Sequence, residues 1–136
     1  MKISRPRWHC LGVKPQFVSK IVSGEKTTTI RVSAPNMKAG NVINFFTGRR
    51  TKDCKYAISA IILDVFDVHI SRDMVVLNGN RLSEAQSLQS FAENDGFNSF
   101  GEMIAFFEKM YGKKAFPFTG KLILFNEPFQ NLQKTE

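Results

Sequence analysis

Cysteine is nearly missing from this chain: Cys10 and Cys54 are the only two, far apart in sequence. A disulfide framework is therefore not expected, and two plain thiols in a reducing compartment are. Long apolar runs are missing too. The longest, Ala57 to Phe66, is broken by Asp64 and too short to span a bilayer. Lys2, Arg5 and Arg7 are followed by no apolar stretch, so no leader is expected and the protein reads as soluble and cytoplasmic, without a membrane partner. No glycine-rich phosphate loop and no βαβ alternation occur, which excludes a doubly wound fold. No C-x-x-C or H-x-x-x-H spacing joins His9, Cys10, Cys54 and His69, so those residues read as structural or surface, and neither metal nor cofactor is expected. No G-x-S-x-G elbow is present, and the adjacent His9 and Cys10 point apart, so a histidine-based triad is not expected.

Acidic residues are the remaining scarcity. Twelve Asp and Glu face nineteen Lys and Arg, a formal charge of +7 that predicts attraction to phosphates or anionic surfaces. Thirteen phenylalanines suit a compact core and would also suit base stacking. The 136 residues fit one domain, read as 1–129, followed by a polar tail, 130–136, expected to fray; a monomer is favoured.

The elements follow from punctuation. Lys14-Pro15 opens a helix whose apolar stripe, Phe17, Ile21 and Val22, stops at Ser23-Gly24. A strand over Lys26–Arg31 comes next, then Val42 to Phe46, and a long run from Tyr56 to Val68 with a bulge or bend near its aspartates. Asn78-Gly79 marks a hairpin. Ser83-Glu84-Ala85-Gln86 and Ser99-Phe100-Gly101-Glu102 have capping-box spacing and should begin two consecutive helices, the first ending near Asn94. A last strand runs from Phe116 to Phe125. Segregated helices beside sequential strands predict an α+β fold with a small, mostly antiparallel, barrel-like sheet.

Two stretches concentrate chemistry. Ser23 to Arg31 gathers a lysine, three threonines and an arginine where a helix hands over to a strand; alternation puts Thr27, Thr29 and Arg31 on one face, while Lys26, at the bend, is free to point either way. Thr47 to Lys55 places Arg49, Arg50, Lys52 and Lys55 with Thr47 and Thr51 between two strands, either as a solvated hairpin loop or as a phosphate-binding loop.

Taken in order, Gly24-Glu25-Lys26-Thr27-Thr28-Thr29-Ile30-Arg31, Gly40-Asn41-Val42, the Thr47–Cys54 loop and Asn94-Asp95-Gly96-Phe97 resemble the ASCH domain family, with G-x-K-T-x-T-I-R the most specific element. The resemblance implies a PUA-like β-barrel with helices packed beside a cleft that binds RNA, a nucleoside or a nucleotide. One branch, the bacterial acetylcytidine amidohydrolases, hydrolyses 4-acetylcytidine with lysine, threonine and glutamate. Carried over, these roles fall on Lys26, Thr29 and Asp95, with Glu93 the alternative acid; aspartate stands where that branch has glutamate. Arg31, Arg49, Arg50, Thr51, Lys52 and Lys55 become the substrate or RNA contacts. A non-catalytic RNA-binding module and an RNA-cleaving member are the other functions the family implies.

Overall fold

The computed structural model describes residues 7–131; Lys2, Arg5 and the part of the expected tail beyond 131 lie outside the described residues. The elements are β1 (Trp8–Gly12), α1 (Pro15–Ser23), β2 (Thr28–Arg31), β3 (Val42–Thr47), β4 (Lys55–Ile70), β5 (Val75–Leu77), β6 (Asn80–Leu82), α2 (Ala85–Asn94), α3 (Phe100–Tyr111) and β7 (Phe118–Phe129).

The sixteen-residue β4 organises the sheet. Its first half pairs with β3, its last three residues with β5, and β7 runs along Ser59 to Ile70. The register shifts within β4 provide the bend expected there, because an unpaired residue twists a strand locally. β2 pairs with β7, and β5 with β6 across a turn in which Asn78 and Gly79 both have positive φ, as the Asn-Gly pair requires. Every pairing is antiparallel except β1 with β3.

The fold is thus α+β with three helices and a seven-stranded, mostly antiparallel sheet, but no ladder among the described residues closes that sheet into a ring. The reason lies at the free edge of β1. Val42 N–H donates to the Arg7 carbonyl and Val13 N–H to the Phe46 carbonyl, so the odd residues of β1 face β3 and the even ones face away. Arginine side chains, instead of a partner strand, occupy that outer edge: Arg49 Nη1 donates to the Cys10 carbonyl and Arg31 Nη2 to the Gly12 carbonyl, both at 2.7 Å.

Two cores flank the sheet. One packs α2 and α3 through Leu88, Phe91, Met103 and Phe107 against Val68, Ile70 and Leu122; the other encloses Ile43, Phe45, Ile62, Ile123 and Phe125. Helix α1 joins both, with Phe17 in the first and Ile21 in the second, each burial worth about 1.5–3 kcal/mol. Val22, expected in the same stripe, is exposed: Phe17 and Ile21 are four apart and stack on one face, whereas Val22 is rotated about 100° further round. Ser99 caps α3 by accepting from Glu102 N–H at 3.1 Å, but the Ser83 capping box does not form, since Glu84 is the cap residue and makes no side-chain cap bond. Packing continues past residue 129. Asn131 is buried, with its N–H donating to the Tyr56 hydroxyl at 2.7 Å and its Nδ2 to Asn44 Oδ1 at 3.2 Å.

Among the described residues no helix is long and apolar enough to cross a membrane.

Candidate functional site

Gly24 ends α1 in the left-handed region, φ 86, where a residue with a Cβ is strained. The next turn is held by Lys26 N–H donating to the Lys20 carbonyl at 2.9 Å and Thr27 N–H to the Asn94 carbonyl at 2.8 Å. The strand begins only at Thr28, two residues later than the Lys26 start expected from β-branching, so Lys26 escapes the alternation of β2. Its side chain is 5% exposed and runs inward past Gly96, where an added Cβ would stand 3.1 Å from Lys26 Cδ and 3.0 Å from the Phe17 ring. The ammonium sits 5.1 Å from the centre of that ring.

Lys26 Nζ donates to the carbonyls of Thr28 at 2.7 Å and Asp95 at 2.6 Å, and lies 3.5 Å from Asp95 Oδ1. Asp95 caps α2. Gly96 (φ 96) donates to the Glu93 carbonyl and Phe97 to the Ala92 carbonyl, both at 3.0 Å, the paired bonds that close a helix through a left-handed glycine. The Asp95 carboxylate is thereby turned inward and buried, and Oδ1 accepts the Thr28 hydroxyl at 2.9 Å. Glu93 lies on the exposed side of the helix.

Burial holds the Lys26 amine below the usual lysine range, partly opposed by the Asp95 charge and reinforced by Arg31. Burial likewise pushes the Asp95 carboxyl up, with Lys26 and the Thr28 hydroxyl opposing. Both shifts favour the neutral forms. Two short bonds to carbonyls take two directions of the amine, and Asp95 Oδ1 at 3.5 Å takes a third.

Thr29 and Arg31 share one face of β2, as alternation requires, and Arg31 Nε donates to Thr29 Oγ1 at 3.2 Å. Gly120 on β7 makes room for this strand, because a Cβ there would collide with the Arg31 carbonyl. Burial lowers the Arg31 pKa, with Arg49 acting in the same direction and Tyr111 and Asp95 opposing.

A cavity of about 500 Å³ brings together Lys26, Thr29, Arg31, Arg49, Thr51 and Asp95. Arg50, Lys52 and Lys55 are exposed and outside its lining. Thr51 reaches the rim with its hydroxyl already engaged, donating to the Gly48 carbonyl at 2.5 Å and accepting from Asp53 N–H at 3.1 Å. Two contributions have no precedent in the sequence reading. Thr28, and not Thr29, is the threonine that meets the acid. Phe106, Met110 and Tyr111 of α3 form one apolar wall of the cavity, and Tyr111 is 45% exposed. The signal available for it was the position of Met110 and Tyr111 in the last turn, next to Gly112, where a helix loses its neighbours.

No protein-family model matches the chain, and no curated protein does. Among solved structures, the chain is similar to hypothetical protein PH0355, with 18% identity over 90% of this chain and 99% of that one and a TM-score of 0.57. It is also similar to ASCH from Zymomonas mobilis, with 18% identity over 92% of this chain and 73% of that one and a TM-score of 0.52. At these identities the likeness is one of fold, and the fold is that of an ASCH structure, in agreement with the sequence resemblance.

Proposed function

We propose that the protein binds RNA or a modified nucleoside in the cavity between β1, β2 and α3. The observation that carries this reading is the composition of one lining: two guanidinium groups, Arg31 and Arg49, together with the aromatic side chains of Phe106 and Tyr111. Cations meet phosphates and aromatic faces stack bases, the two contacts by which unpaired nucleotides are held. The exposed Arg50, Lys52 and Lys55 extend the positive surface outward for a strand longer than the cavity.

A second reading, hydrolysis of the acetyl amide of a 4-acetylcytidine-type substrate, is supported by Thr29 lining the same cavity as Lys26 and Asp95. In this reading Thr29 Oγ1 attacks the acetyl carbonyl carbon, and the Lys26 amine, whose pKa burial lowers, takes the hydroxyl proton. Arg31 donates to the oxyanion. The bond from carbon to the exocyclic nitrogen breaks, that nitrogen leaves with the proton, and water then cleaves the acetyl-threonine to release acetate. Asp95 and Thr28 act as positioning residues for Lys26.

Incubating the pure protein with 4-acetylcytidine and, separately, with a short single-stranded RNA tests both readings. Retention of either ligand is the expected result, and release of acetate establishes the second reading. RNA cleavage would replace it, and no binding of either ligand would overturn the proposal.

A further inference from the structure

Two arginines line the cavity without an acidic partner. Among the described residues the ion pairs are Lys26 with Asp95, Arg72 with Glu108, and Lys121 with Asp67; none involves Arg31 or Arg49. Lys26 and Asp95 cancel each other, so the lining carries two uncompensated positive charges that repel one another. We infer that this wall of the cavity is a subsite for a terminal phosphate, the phosphomonoester of a mononucleotide or of a strand end. The inference rests on the proposed function and names the ligand class within it.

The donor geometry supports a dianion. A guanidinium has five N–H groups. Arg31 spends one on Thr29 and one on the Gly12 carbonyl, and Arg49 spends one on the Cys10 carbonyl, so most donors of both are left for a ligand. These anchors hold the two planes in place without any salt bridge that an incoming anion must first break, and a prearranged fork loses less freedom on binding. A phosphomonoester carries close to two negative charges near neutral pH and an internal phosphodiester one, so two unpaired arginines match the former in charge. The Thr51 hydroxyl is consumed within its own loop and adds nothing to the phosphate. Tyr111 and Phe106, on the α3 side of the same cavity, supply faces for the attached base.

The test is a charge ladder at fixed pH and salt. Binding to the full chain is measured for cytidine, the methyl ester of cytidine 5′-monophosphate and cytidine 5′-monophosphate itself. Inorganic phosphate serves as competitor, and a short RNA is used with hydroxyl ends, a 5′-phosphate or a 3′-phosphate. Each added charge should tighten binding about tenfold, the scale of one charge-assisted hydrogen bond. Arg49→Met, at the exposed rim, should lower the monophosphate-to-cytidine ratio about tenfold, and Arg31→Met should lower it comparably from the buried side, with cytidine binding measured for each variant as its own reference. A gain confined to the mononucleotide identifies free nucleotides as the source, and an equal gain for an end-phosphorylated RNA identifies strand ends.

Equal binding of cytidine and its monophosphate overturns the subsite and leaves the nucleoside site standing. A monophosphate-to-cytidine ratio that survives Arg49→Met and Arg31→Met also overturns it, and inorganic phosphate competing as strongly as the monophosphate overturns the nucleotide as its ligand. Failure of every nucleoside, nucleotide and RNA to bind overturns the proposed function along with it.

Discussion

Lys26 reaches Asp95 twice: its ammonium donates to the backbone carbonyl at 2.6 Å and stands 3.5 Å from the carboxylate oxygen. The end of α2 therefore meets the lysine with the negative pole of the helix as well as with a side chain. Substituting the side chain removes only one of these contacts.

Lys26→Met should accordingly cost more than Asp95→Asn. The first leaves two buried carbonyls without their donor and the Asp95 carboxyl with the Thr28 hydroxyl alone, a loss of about 3–5 kcal/mol; the second keeps both carbonyl bonds. Denaturant midpoints of the two variants give the comparison. Lys26→Met combined with Asp95→Asn should recover part of the loss, because no unpaired charge stays buried.

The two threonines separate structure from chemistry. Thr28→Val removes the donor to Asp95 and should destabilise the fold by about 1–3 kcal/mol. Thr29→Val removes only an acceptor for Arg31 and should leave the thermal midpoint nearly unchanged, while abolishing acetate release if the protein deacetylates. An active Thr29→Val enzyme would remove that hydroxyl from the mechanism.

Acid titration should expose Asp95. Its carboxyl is raised from 3.8 by burial, so between 3.8 and the raised value the folded protein binds more protons than the unfolded chain. Its contribution to stability is full below 3.8 and is lost as pH climbs through the folded value. Wild type should thus lose stability relative to Asp95→Asn as pH rises across that window. Lys26, lowered from 10.5, behaves in the opposite sense: its contribution is full above 10.5 and is lost as pH falls through the lowered value. Wild type should then gain on Lys26→Met as pH rises toward 10.5.

Salt dependence should divide the basic loop. Arg50, Lys52 and Lys55 lie outside the cavity, so Arg50→Ala should reduce the slope of log affinity against log salt for single-stranded RNA by about 0.7 and leave mononucleotide binding alone. An unchanged RNA slope would make this segment a solvated hairpin.

Gly96→Ala should disturb both the α2 terminus and Lys26. The φ of 96 is strained for any residue with a Cβ, and that atom would press on the lysine stem and on Phe17. Loss of stability of about 1–3 kcal/mol is expected, with Gly24→Ala, where no atom lies within 4 Å of the added carbon, closer to the lower end.

Much of this was legible in the residues. Glycine, proline and capping serine mark local geometry directly, which is why the end of α1 at Gly24, the Asn78-Gly79 turn and the Ser99 cap appear where their chemistry puts them. Ser83 has the same spacing as Ser99 and caps nothing, since spacing permits a cap but does not fix which residue leaves the extended region. The pairing of Thr28 with Asp95 had no local signal; it depends on where α2 ends against β2, sixty-seven positions apart. Tyr111 was hidden for a related reason: helical periodicity says that a face is apolar, not whether the sheet covers all of it. The ring closure implied by the family is not formed among the described residues, and the place where it stops, the outer edge of β1, is one that only tertiary structure reveals.

That edge sets a timescale. Where β1 faces β2, the Arg31 guanidinium on the Gly12 carbonyl stands in for a backbone ladder. Unzipping a ladder is a cooperative event of microseconds or slower, whereas a side chain moves by breaking only its own contacts. Opening of this edge therefore depends on one anchored side chain and its contacts to Thr29 and Gly12, and not on the unzipping of a strand.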